Sequence, residues 1–131
     1  ISITAVYKPP SIPKNNFVEN IQNNLETNAL GGDNNFELLV GDMNMDLFNI
    51  DDSSYNYLTA MSQLGFQSYI NSITRFDSKT CLDHIFVNTK SKSNNLDLET
   101  YVLDIHITDH GPTMINIVSN KKISCKKNQI S

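Results

Sequence analysis

The run Phe36-Glu37-Leu38-Leu39-Val40, closed by Gly41 and Asp42, constrains this chain more than any other segment. Its apolar residues leave no polar face, so as a strand it must be covered on both sides. Such a strand lies inside a sheet with further layers packed against it. At about 150 residues per domain, 131 residues make one domain at most, or part of one. Hydrophobic residues at 39% and charged residues at 18% place the chain in the globular range and outside the disordered one. No apolar run approaches the roughly 20 residues that span a bilayer, and no basic stretch with an apolar core marks a secretory signal. Position 1 is Ile rather than Met, so the chain is expected to be a piece of something longer.

Around that strand the other elements follow by periodicity. Residues 1–7 alternate apolar and polar side chains, and Pro9-Pro10 ends the strand they predict. Asn15 or Asn16 can cap a helix with Phe17, Ile21 and Leu25 on its apolar face, Val18 and Ala29 beside them, and Gly31-Gly32 as its stop. Ser53 or Ser54 can cap a second helix with Tyr57, Leu58, Met61 and Leu64 inward and Gly65 at its end. Strands are predicted over 66–70, 81–87, 98–107 and 113–118, with loops at 71–80 and 89–95. The order is strand, helix, strand, helix, then four strands: a mixed α/β fold, with helices covering a sheet. So many strands against two helices leave one sheet face in need of a partner, and a second sheet supplied from upstream is one way to cover it. Residues 1–118 form the domain; residues 119–131, rich in lysine, read as a tail or linker.

Two cysteines, Cys81 and Cys125, form no CxxC pair, which disfavours a sulfur metal site and fits a reducing intracellular setting. The net charge of −4 excludes nucleic-acid binding by bulk electrostatics alone. It fits carboxylates gathered around a divalent cation, and equally a plain acidic surface. Paired asparagines such as Asn23-Asn24 and Asn34-Asn35 read as loop-filling bias.

Four polar clusters interrupt the apolar elements. Gly41-Asp42-Met43-Asn44 follows the 36–40 strand, where ligands of α/β sheets bind; an Asx turn explains the same residues. In the segment 81–87, period two puts Asp83 on the face of Ile85 and Val87. A carboxylate on an apolar face needs a partner, and a histidine is a good one. His84 faces the other way and reads as structural, as does His106. Thr108-Asp109-His110 ends a strand: Asp109 can ligate a hard cation, and His110 can donate to phosphate or carry a proton near neutral pH. Tyr7 precedes a rigid Lys8-Pro9-Pro10 turn that can present its hydroxyl. A serine nucleophile elbow, a phosphate-binding glycine loop and a dinucleotide fingerprint are all missing. Metal-assisted attack of water on a phosphodiester uses the set that remains.

These segments resemble the endonuclease/exonuclease/phosphatase superfamily and, more narrowly, the apurinic-type endonuclease domain of non-LTR retrotransposons. The matching stretches are AVYKPPS (5–11), LLVGDMNMD (38–46), the helix end Leu64-Gly65-Phe66, ITR (73–75), CLDHIFVN (81–88) and ITDHGP (107–112), in family order. The resemblance implies part of a four-layer α/β sandwich, two packed sheets flanked by helices. It implies that Asp42 activates water, Asn44 holds water or phosphate, His110 contacts the scissile phosphate, and Asp83 fixes the His110 tautomer. It further implies that Asp109 lies at a Mg²⁺ site (Mn²⁺ as the substitute), that Tyr7 touches phosphate or leaving group, and that Thr74 and Arg75 lie near DNA. Thr108 stands where the family usually has Ser, and Met43 where it has Phe. The family's metal-binding glutamate belongs upstream of the Tyr7 strand, and Glu19, Glu26, Glu37 and Glu99 stand in other contexts.

The implied activity is Mg²⁺-dependent DNA nicking. The partners are DNA and a downstream reverse transcriptase domain, with no membrane and no small-molecule cofactor, acting inside the cell and in the nucleus. The alternatives are a phosphomonoesterase or phospholipase of the same superfamily, and an inactive retroelement remnant.

Overall fold

Leu38 and Leu39 are adjacent and both buried, one on each side of the strand they share. That strand, β2 (Glu37–Asp42), is interior to a four-stranded sheet of order β1-β2-β4-β3, with β1 (Ser2–Ala5), β3 (Phe66–Ser68) and β4 (Asp83–Asn88). The computed structural model describes residues 1–28, 36–88 and 96–119. β1 pairs parallel with β2 through the crossover helix α1 (Lys14–Asn28); β2 and β3 both pair antiparallel with β4. Helix α2 (Asp52–Gln63) connects β2 to β3, and β5 (Leu96–Val102) pairs with β6 (Thr113–Ser119) as a second, two-stranded sheet.

Both faces of the central sheet are covered by different material. On one, Phe17, Val18, Ile21 and Leu25 of α1 and Tyr57, Ala60 and Met61 of α2 pack on Leu39, Phe66 and Phe86. On the other, Leu38 and Val87 meet Leu96, Leu98, Ile115 and Ile117 of the second sheet, and Ile85 lies near Val102. The described residues thus form three layers of the expected sandwich: helices, sheet, sheet. Full burial of side chains such as Leu39 and Phe86 contributes on the order of 1.5–3 kcal/mol each. Among the described residues no helix is long and apolar enough to cross a membrane.

Several expectations are corrected. Strands β5 and β6 of this chain already supply a second sheet on the face for which upstream residues were one expected source. Helix α1 begins before Asn15, because the first turn closes from the Phe17 N–H onto the Pro13 carbonyl at 3.1 Å. Helix α2 is capped by Asp51, whose carboxylate accepts the Ser54 N–H at 2.8 Å. Strand β3 is shorter than its apolar run, and β5 stops at Val102 instead of 107. There the Leu103 N–H donates to the Pro112 carbonyl and closes the hairpin base, so Leu103, Ile105 and Ile107 alternate with no sheet to enter. Strand β6 runs to Ser119, one residue past the predicted strand. Ala29, Gly31-Gly32, the 89–95 loop, Cys125 and the lysine-rich 121–131 stretch lie outside the described residues.

Candidate active site

The antiparallel register of β2 and β4 sets Gly41 opposite His84 and Asp42 opposite Asp83. Residues directly opposite point to the same face, so Asp42 and Asp83 lie together on the second-sheet side. Two carboxylates on one rung repel each other unless positive charge joins them. His110 provides it from the loop between β5 and β6. Its Nδ1–H donates to Asp83 Oδ2 at 2.8 Å, and its Nε2 lies 4.0 Å from Asp42 Oδ2. Asp42, Asp83 and His110 each offer a ligand atom within 4.8 Å of the others, and all three are half-buried. Two carboxylate oxygens suit a hard divalent cation, and the imidazole widens the choice towards transition metals.

The turn after β2 holds Asp42 in place. Its Oδ1 accepts the Asn44 N–H at 2.9 Å, an Asx turn, while Oδ2 faces His110. The structural and functional readings of this aspartate therefore hold together, one oxygen each. Asn44 sits at φ 46°, a left-handed conformation that asparagine tolerates, and its Nδ2 donates to the Lys8 carbonyl at 2.7 Å. The Lys8 N–H donates to the Asp42 carbonyl at 2.9 Å, so the turn is stitched to the chain leaving β1. Gly41 makes this approach possible. At φ 147°, it is so close to β1 that a Cβ would lie 1.7 Å from the Val6 carbonyl oxygen.

Two histidines next to aspartates end in opposite states. Burial alone would lower the His110 pKa, but the hydrogen bond to Asp83 and the charges of Asp83, Asp42 and Asp109 outweigh it and raise it. His84, across the sheet, is fully buried. Its Nε2–H donates to the Met45 carbonyl at 2.9 Å, leaving Nδ1 to accept the Tyr57 hydroxyl at 3.1 Å. Burial holds His84 below the ordinary histidine range against the pull of the Met45 and Cys81 carbonyls and of Asp83 and Asp42. Burial likewise raises the Tyr57 hydroxyl pKa and pushes the Cys81 thiol up to about 11, so neither is a ready nucleophile.

The remaining expected residues are placed as follows. The β1–β2 register, continued two residues beyond Ala5–Val40, sets Tyr7 level with Asp42, where it is 64% exposed. Thr74 is fully buried; its Oγ1 accepts the N–H groups of Leu82 and Asp83 at 2.9 and 3.0 Å, so it braces the start of β4 instead of facing outward. Arg75 directs its guanidinium to Asp77 at 3.0 Å and Asp109 at 2.8 Å. The Asp109 carboxylate accordingly lies on Arg75 and outside the Asp42–Asp83–His110 group. His106 is at the surface beside Asp104 and against the Phe76 ring.

Two residues were not singled out by sequence. Lys8 is only 2% exposed, with its Nζ on the Pro9 carbonyl at 3.2 Å; burial, then Lys14, lowers its pKa, while Asp42 opposes. Asp46 Oδ1 accepts the Phe48 and Cys81 N–H groups at 3.0 and 2.9 Å and ties the 42–46 turn to the approach of β4. The Asp46-to-Phe48 spacing carries an Asx-turn signal; the bond to Cys81 depends on the fold.

No family model and no curated protein matches the chain. Among solved structures, it superimposes on the endonuclease domain of TRAS1, a telomere-specific non-LTR retrotransposon, with a TM-score of 0.71. The two share this fold. They are 19% identical, and the match covers 91% of this chain and 57% of that one. The chain thus spans somewhat more than half the length of the domain it resembles.

Proposed function

We propose that this chain is part of a DNA-nicking endonuclease of a non-LTR retrotransposon, hydrolysing phosphodiesters with a divalent cation. The observation that carries this reading is the His110–Asp83 hydrogen bond facing Asp42 across one rung of the sheet. The fold it shares with the TRAS1 endonuclease domain supports it. DNA is the proposed substrate, a downstream reverse transcriptase domain the proposed partner, and the nucleus the proposed place of action.

In this reading Asp83 accepts from His110 Nδ1, and a second proton on Nε2, favoured by the carboxylates that raise the pKa of the ring, makes His110 a donor at both nitrogens. That N–H donates to the phosphate oxygen that gains charge when water adds. Asp42 Oδ2 orients the water and accepts its proton, while Oδ1 stays locked in its turn. Asn44 holds the Lys8 carbonyl in this structure, so its first task is to fix Asp42. Tyr7 is free to meet the phosphate or the leaving oxygen. The Asp83 oxygen not bonded to His110 would help hold the cation, Mg²⁺ by the oxygen donor it offers or Mn²⁺ in its place. Such an ion, when bound, supplies positive charge to the phosphate oxygens.

The test is relaxation of supercoiled plasmid with Mg²⁺, using this chain and, where its gene extends further, the full-length product. Nicking that falls about a hundredfold or more in both Asp42→Asn and His110→Ala is the expected result. Undiminished nicking by these variants sinks the assignment. Phosphate released from an inositol phosphate, with no nicking, would replace DNA by a phosphomonoester substrate.

A further inference from the structure

Three consecutive residues, 74–76, touch both sides of the Asp83–His110 pair. Thr74 Oγ1 accepts the Asp83 N–H, and the Thr74 carbonyl accepts the Gly111 N–H at 2.7 Å. The Phe76 N–H donates to the Asp109 carbonyl at 2.9 Å. Between them, Arg75 pairs through its backbone with both Thr80 and His110 as isolated antiparallel bridges. Its side chain adds the Asp109 ion pair at 2.8 Å, while Nε holds Asp77 at 3.0 Å. Gly111 is pressed so closely against this segment that a Cβ would lie 2.6 Å from the Phe76 ring. Beyond the hairpin base at Leu103–Pro112, residues 103–107 contribute an exposed surface ion pair and one ring contact on Phe76.

We propose that Arg75 is a positioning residue: its forked ion pair with Asp77 and Asp109 holds the His110 loop at the distance at which the imidazole reaches Asp83. An arginine is needed because two nitrogens of one planar group serve two carboxylates, which a lysine ammonium serves poorly. The pair is partly exposed, so its effect is modest and salt-sensitive. The segment therefore acts through geometry, and the Arg75 guanidinium is engaged inside the protein. The catalytic meaning rests on the nuclease reading above; the positioning itself does not.

The experiment reads the His110 Nδ1 proton directly, by NMR of the chain labelled with ¹⁵N-histidine, without substrate. Arg75→Ala should speed exchange of that proton about two- to fivefold, and Arg75→Lys should restore part of the protection. Asp109→Asn removes one partner of the fork and should act in the same direction, which keeps the test open where Arg75→Ala fails to fold. Lys14→Ala removes a comparable exposed ion pair, to Asp51 between the two helices, that touches neither Arg75 nor His110, and should leave the signal unchanged. Unchanged exchange in folded Arg75→Ala or Asp109→Asn overturns the proposal. So does an equal acceleration in Lys14→Ala, which would report general loosening. Faster exchange in Arg75→Ala with undiminished plasmid nicking would instead count against the nuclease roles alone.

Discussion

Two neighbouring rungs of the β2–β4 ladder, Gly41–His84 and Asp42–Asp83, share one end of the sheet and face opposite layers. The Gly41–His84 rung points into the helices and is closed: no room beside Gly41, no exposed atom to speak of on His84, and a neutral ring fixed by Tyr57 and Met45. The Asp42–Asp83 rung points towards the β5–β6 sheet and stays half-open, with two carboxylates sharing one imidazole. The candidate site thus sits one residue away from some of the tightest packing among the described residues. A rigid rung behind is what lets a charged rung in front keep its geometry.

The largest effect should come from breaking the closed rung. Gly41→Ala places a methyl group 1.7 Å from the Val6 carbonyl oxygen at a φ that disfavours any side chain. A backbone clash cannot relax by a rotamer change, so a loss of about 4 kcal/mol or more is expected, enough to unfold a marginal domain. Chemical denaturation of the purified variant measures it; near-native stability would show that β1 can move away freely. Next, His84→Ala should cost about 3 kcal/mol, through a cavity and the unpaired Tyr57 hydroxyl and Met45 carbonyl. His110→Ala, half-exposed at the other rung, should leave the denaturation midpoint much less changed. Equal losses at 84 and 110 would erase the distinction between the rungs.

The closed rung and the open one were not equally legible in sequence. Asp83 was legible because a carboxylate in phase with Ile85 and Val87 demands a partner, and His110 is that partner at 2.8 Å. Gly41 could be read as a turn, yet not as a contact with Val6, because that approach exists only once β1 pairs parallel to β2. Thr74 and Arg75 were recognised as a motif, but their work on Asp83, Asp109 and His110 depends on segments up to 35 positions distant, which no local period encodes. Helix starts were misplaced because Asn15, Asn16, Ser53 and Ser54 are good caps by type, while Pro13 and Asp51 held the positions that mattered. Residues 103–107 show the converse error: their alternation has strand period, but β6 offers no partners beyond Thr113.

The two histidines should also pull stability in opposite directions with pH, measured with a chelator present. For His84 the folded pKa is depressed, so below about 6.5 the unfolded chain takes up its proton first and stability falls as pH drops. For His110 the folded pKa is raised, so its contribution is fully present below about 6.5 and is lost as pH rises through the folded value. His110→Gln should therefore remove the loss on the alkaline side and keep the loss on the acid side. NMR titration of the ring protons should place the two midpoints on opposite sides of about 6.5. Coincident midpoints would mean that both rings see the same environment, and the contrast between the rungs would fail.

The smallest effect should come from Asp51, which supports only the closed side. Its carboxylate caps α2, the helix that carries Tyr57 to His84, and pairs with Lys14 on α1. The Lys14 hydrogen bond, then the Ser54 backbone N–H, hold its pKa down at about 2. The folded value is depressed, so this stabilisation is fully present above the unfolded value of about 3.9 and fades as pH falls through about 2. Asp51→Ala should lower the Tm slightly at neutral pH and match the parent at the acid end of that window. The Asp51 side chain is exposed, so added salt should shrink the difference further. The sharper reading is spatial: the variant should loosen the Tyr57–His84 contact while the His110–Asp83 hydrogen bond stays as it is. Should the His110 Nδ1 proton respond as strongly as the Tyr57 ring, the helical layer and the site would be one mechanical unit, and the sheet between them would insulate nothing.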